Sequence, residues 1–167
     1  MKKLFLLLAF LPVLLFTQCG PTTEDAIAYN DKLIAEEFAV IGTIDELQNA
    51  LGTYDPAKIE PALNTAKAQV DKSIEAVKKV GGFDDNTEFL DATLNLFNVI
   101  KALLNNEYQE QFEIYKLPIE QYTTKEEDRY NELNRIIDEK YFPAFDKFSK
   151  AQDEFAAKWK FELEKKF

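Results

Sequence analysis

The sequence predicts an all-α fold, an antiparallel bundle of four long helices, on three observations. Apolar residues recur at spacings of three and four through four successive stretches, as the buried face of a helix with about 3.6 residues per turn requires. Between these stretches stand breaks containing Gly or Pro, at Gly52 to Pro56, at Gly81-Gly82 and at Pro118, where a helix ends and a cap can start the next. No window alternates apolar and polar residues in the two-residue period of a half-buried strand, and there is no Gly-rich repeat or low-complexity linker. Short connections between long helices make sequence neighbours antiparallel.

Helix one runs from Thr23 to about Leu51, with Ile27, Ile34, Phe38 and Ile41 beside Leu33, Val40, Ile44, Leu47 and Leu51 forming a broad apolar stripe. Thr22 with Asp25 three places on has the form of a capping box, and Gly42-Thr43 is a soft point at which the helix can bend. Helix two carries the narrower seam Leu63, Ala66, Val70, Ile74, Val77 and Val80. Pro56 and Pro61 both suit a first turn but cannot both be the first helical residue, so a short irregular lead-in is expected. Helix three is expected from Phe89 through Phe97, Ile100, Leu104, Tyr108 and Phe112 to about Tyr115, with Asp84 to Glu88 supplying caps. Helix four follows a capping box at Thr124-Lys125-Glu126-Glu127 and carries Tyr130, Leu133, Ile137, Tyr141, Phe145, Phe148, Phe155 and Trp159. Unbroken it would be roughly 60 Å long at about 1.5 Å per residue, and Pro143 is expected to kink it.

The chain opens Met1-Lys2-Lys3, then runs without a charge from Leu4 to Phe16 and reaches Thr17-Gln18-Cys19-Gly20. That is the order of a secretory signal peptide, and the apolar run is shorter than the roughly twenty residues a membrane span needs. Through Phe16-Thr17-Gln18-Cys19 the sequence resembles the bacterial lipoproteins, in which a lipidated cysteine follows the apolar run and becomes the first residue of the mature chain. Phe16 and Gln18 stand where the usual lipobox has Leu and a small residue. The resemblance implies a cleaved signal over residues 1–18, an acylated tether over 19–22 with Cys19 as the lipidation site, and the bundle over 23–167. It implies anchoring in the bacterial cell envelope, and, because Gly20 rather than Asp follows the cysteine, in the outer membrane of a cell that has one. The domain loosely resembles small helical surface lipoproteins of uncharacterised function.

Lys and Arg number 20 against 30 Asp and Glu, a formal charge of -10 that becomes -12 once Lys2 and Lys3 leave with the signal. An acidic domain has no basic patch with which to displace counterions from phosphate, so nucleic acid is excluded as a partner and membrane binding falls to the acyl chains. The sequence has no histidine and a single cysteine. The usual general base, the Cys–His pair, an internal disulfide and most transition-metal sites are therefore absent, and no catalytic residue, metal ligand or cofactor is assigned. Asp84-Asp85-Asn86 lacks the alternating oxygens, turn glycine and distal Glu of a calcium loop.

The candidate contacts are aromatic. Tyr108, Tyr115, Tyr130 and Tyr141 recur near helical seams, where they serve the core or line a pocket with their hydroxyls. Trp159 and Phe161, with Lys160, Lys165, Lys166 and Phe167, either meet a partner or lipid headgroups or finish a helix whose dipole the lysines complement. Glu37 falls at a seam position between Leu33 and Val40; a rim location is expected, since burial without a cation is costly. The functional expectation is a non-enzymatic surface or envelope lipoprotein that presents helix faces to a protein partner. The alternative is a carrier or chaperone that holds an apolar ligand or peptide between aromatic-rich helices.

Overall fold

The structure, a computed structural model, describes residues 20–163. Over them the chain is all-helical: α1 Thr23–Leu51, α2 Pro56–Val80, α3 Glu88–Asn105, α4 Glu107–Tyr115, a 3-10 turn Ile119–Gln121, and α5 Thr124–Trp159. Cys19 and the signal segment, and Lys165, Lys166 and Phe167, lie outside the described residues.

α1 begins with the capping box expected of it. The Thr22 hydroxyl accepts from the Asp25 amide at 3.2 Å and the Asp25 carboxylate accepts from the Thr22 amide at 3.0 Å. The helix passes through Gly42-Thr43 without a break. α2 starts at Pro56 behind Asp55, whose side chain accepts from the Ala57 amide. Pro61 lies inside the helix, so no irregular lead-in precedes the second seam. Pro61 and Ala57 are both exposed, and water can satisfy the Ala57 carbonyl that the proline leaves without its amide partner.

Gly81, at φ 73, ends α2. Asp84 and Asp85 do not cap α3. They sit at φ 52 and 57 between Phe83 and Asn86, which exchange hydrogen bonds of 2.9 and 3.0 Å, so the four residues form a tight turn with two left-handed central positions. Gly82 passes so close that a Cβ there would stand 2.8 Å from the Asn86 carbonyl oxygen.

The third pattern is interrupted at Asn106, which separates α3 from α4. Asn105 and Asn106 turn their side-chain amides back onto the Lys101 and Ala102 carbonyls at 2.9 and 2.8 Å. Such local bonds compete with the helical ladder and bend it. α5 is capped by Thr123 with Glu126, one residue earlier than the Thr124-Glu127 box read from the sequence. It then runs 36 residues through Pro143.

The helices share one core. α1 and α2 pack most extensively on each other and α3 on α5, α2 also packs on α3, and α4 rests on α5. Leu33, Val40, Leu47, Ile59, Val70, Leu96, Phe97 and Leu104 are all fully buried there. At one end, Tyr29 Oη donates to the Gly81 carbonyl at 3.1 Å, Thr23 Oγ1 to the Trp159 carbonyl at 3.1 Å, and Gln152 to Asn30 at 2.9 Å. The first turns of α1 thus lie beside the last turns of α2 and α5.

Candidate functional site

The other end of the molecule, about 40 Å along α1 at 1.5 Å per residue, carries an open cleft of about 550 Å³. That volume lies within the range of small-molecule and cofactor sites. The last turn of α1 contributes Gln48 and Leu51, the turn after it Tyr54, α4 contributes Tyr108, Gln111 and Tyr115, the loop contributes Tyr122, and the first half of α5 closes the wall from Glu127 to Asp138. Five of the seven tyrosines in the chain line it.

α4 is held on α5 by three polar ties around this wall. Glu110 takes Nε and Nη2 of Arg129 at 2.6 and 2.7 Å, Gln111 Nε2 donates to Asn134 Oδ1 at 2.7 Å, and Lys140 Nζ meets Glu107 Oε1 at 2.5 Å. The arginine pair is half exposed and adds little to stability; its two parallel bonds set the register. It also holds the Glu110 carboxyl below the usual range.

Within the cleft the phenol rings meet nearly edge to face. Tyr115 stands 5.5 Å from Tyr54 at 76° and 5.4 Å from Tyr130 at 70°, so the three rings form a corner. Burial, reinforced by the hydrogen bond with Tyr130, raises the Tyr115 phenol well above its ordinary pKa. Burial also raises Tyr108, against the opposing hydrogen bond with Gln48 and with the charge of Asp138 adding to it. Tyr122 is raised by desolvation and by the Glu127 carboxylate. These phenols stay protonated at neutral pH and keep donor hydrogens.

Two features of the wall are energetically unfavourable for the protein alone. Gln111 is fully buried, and its Oε1 has no hydrogen-bond partner among the described residues. An amide oxygen withdrawn from water in that way costs about 1–3 kcal/mol. Tyr54 is in the left-handed region at φ 57 although it is 73% exposed, a conformation that costs a bulky residue roughly 1 kcal/mol.

Of the residues singled out by periodicity, Tyr108, Tyr115 and Tyr130 come together here. Tyr141 does not; it stacks on Phe145 at 5.8 Å, with a pKa pushed up to about 12 by burial and by the Glu37 charge. Trp159 and Phe161 lie at the opposite end, half-buried in an aromatic cluster. The Trp159 ring is 5.0 Å from Phe83, Phe161 is 6.1 Å from Phe155, and Lys158 Nζ stands over Trp159. Tyr54 and Tyr122 belong to the cleft but sit in turns, outside any helical period; tyrosine in a turn beside Gly52 or Pro118 was the available signal. Glu37 is 8% exposed and not at a rim. Burial lifts its pKa to about 7, which lets the carboxyl lie without a cation.

Compared with protein-family models, with curated proteins and with solved structures, the chain matches none of them.

Proposed function

We propose that the protein is a non-enzymatic envelope lipoprotein, held at the membrane through an acylated Cys19, that displays the tyrosine cleft at the membrane-distal end of an antiparallel bundle. The convergence of five tyrosines with the unsatisfied Gln111 oxygen carries this reading. A wall that leaves a polar atom without a partner and holds Tyr54 in a strained backbone is arranged for something other than the stability of the free protein.

The placement of the cleft supports the anchored reading. Gly20 leads directly into the end of α1 that lies beside Trp159, whereas the cleft is built from the far ends of α1 and α4 and the start of α5. A tether of residues 19–22 spans roughly 10 Å, so a bundle standing on that end holds its cleft out from the surface. The antiparallel order is supported by the Tyr29–Gly81 and Thr23–Trp159 contacts, which put the start of α1 beside the ends of α2 and α5. A bend of α5 at Pro143 follows from the lost amide and the ring's clash with the Glu139 carbonyl.

The cleft wall carries amides, phenols and carboxylates, so a polar ligand or a polar segment of a protein partner suits it better than an apolar cargo. The test compares protein taken gently from host membranes with a Tyr115→Leu/Tyr130→Leu double variant by native mass spectrometry. A ligand or partner retained by the wild type and absent from the double variant supports the reading. Equal retention by both contradicts it. A Cys19→Ala variant run beside them is expected to leave the membrane fraction.

A further inference from the structure

We propose that the cleft recognises an organic cation, a guanidinium or ammonium group, on a small amine or on a peptide side chain. The inference rests on the reading of this cleft as the ligand site and names the chemistry it selects.

Three independent features of the wall converge on that chemistry. The lining contains the carboxylates of Glu127 and Asp138 and no lysine or arginine among the described residues. Arg129, next to Tyr130 on α5, is committed to Glu110 in a two-bond pair. Glu127 and Asp138 both lie on the wall of α5 that also carries Tyr130. Next, Tyr54, Tyr115 and Tyr130 meet at 76° and 70° and so present π faces around a corner; a cation within about 6 Å of such faces is attracted by their quadrupoles. Finally, Gln111 Oε1 in that wall is buried without a donor, and an N–H-bearing cation supplies one once the side chain turns toward the cleft.

Other ligand classes satisfy fewer of these features. A carboxylate or phosphate would bring a third negative charge to two that are already there. An uncharged sugar would stack on the rings and donate to Gln111 but draw nothing from Glu127 or Asp138. The net charge of -10 over the whole chain also concentrates cations near the surface.

The test uses the full-length chain in detergent, with the side-chain amide signals of Gln111 and Asn134 followed by NMR. The probes are agmatine, acetyl-Gly-Arg-Gly-amide, its citrulline counterpart and maltotriose. The expected result is saturable binding of agmatine and the arginine peptide, with the citrulline peptide weaker by about tenfold or more. Glu127→Gln and Asp138→Asn, both exposed helix positions that leave the fold intact, each weaken the arginine peptide several-fold and flatten its salt dependence. An arginine peptide about tenfold tighter than agmatine assigns the cation to a protein segment, and equal affinities assign it to a free amine. Citrulline binding as well as arginine, preferential binding of maltotriose, or affinities unchanged in both carboxylate variants would overturn the cationic class and leave the cleft a ligand site. Silence to all four probes, with the amide signals unmoved, would overturn the site itself.

Discussion

Burial of Glu37 on the inner side of α1 lifts its carboxyl pKa from 4.5 to about 7, because desolvation penalises the charged form. The folded state therefore binds more protons than the unfolded chain between those two values, and this residue's contribution to stability falls as pH rises from about 4.5 to about 7, then levels off. A shift of that size corresponds to about 3 kcal/mol at most, reduced to about 1–2 kcal/mol because the carboxyl retains some contact with water. Glu37→Gln is thus expected to be more stable than wild type by about 1–2 kcal/mol in urea melts at pH 8 and nearly equal to it at pH 4.5. An equal effect at both pH values would show that ionisation is not the cause. Tyr54 offers the complementary case of strain. Tyr54→Gly relieves the left-handed backbone and is expected to hold or raise stability by up to about 1 kcal/mol, while ligand binding at the cleft falls. The seam period made Tyr108, Tyr115 and Tyr130 legible as a set. It also swept in Tyr141, because a repeat of three and four residues marks one side of a helix without saying where along a bundle that side opens.

Among the elements, the four patterns of apolar spacing were legible because each is a long face buried on one core, with fully buried residues such as Leu33, Leu63, Phe97 and Leu133 on them. Boundaries were less legible where two residues offer the same chemistry. Thr123 and Thr124 each have a glutamate three places on, and the backbone resolves the choice in favour of Thr123 with Glu126. Thr123→Ala is accordingly expected to cost about 1 kcal/mol in thermal melts, and Thr124→Ala a few tenths at most; the reverse order would move the cap. The break at Asn106 was hidden because the apolar spacing continues across it from Leu104 to Tyr108. Its trace in the sequence is the pair Asn105-Asn106, whose amides turn back on the helix carbonyls. The Asp84-Asp85 turn was read as capping because Asp serves both purposes. With both residues at positive φ, Asp85→Gly is expected to stabilise the protein by about 0.5–1 kcal/mol, as glycine suits the second central position of such a turn.

At the scale of the whole molecule, the proposed function depends on which end of the bundle would meet the membrane. The end bearing Gly20 is packed with aromatics, Tyr29, Phe83, Phe155 and Trp159 within contact of one another. The opposite end carries the cleft and the exposed Ile119 and Tyr54. No described helix is long and apolar enough to cross a membrane, so in the proposed arrangement the acyl chains on Cys19 supply the attachment and α1 is the strut. In that proposed arrangement the acidic excess would keep the domain off anionic headgroups and favour an upright bundle over one lying on the surface. The placement of the cleft was not legible in the sequence, because it requires the far turns of α1 to meet α4 and the start of α5, residues more than fifty positions apart.

The most direct test is energy transfer from a dye-labelled bilayer to the protein, purified with its native N-terminus and reconstituted in vesicles. Cys19 is the single cysteine and is blocked once acylated, so Glu24→Cys and Asn49→Cys variants each take one label, near opposite ends of α1. An upright, anchored bundle predicts strong transfer at residue 24 and weak transfer at residue 49, with the two labels differing in height by roughly 35 Å. Equal transfer at both positions, or a label at residue 49 nearer the bilayer, would contradict a cleft held out from the membrane.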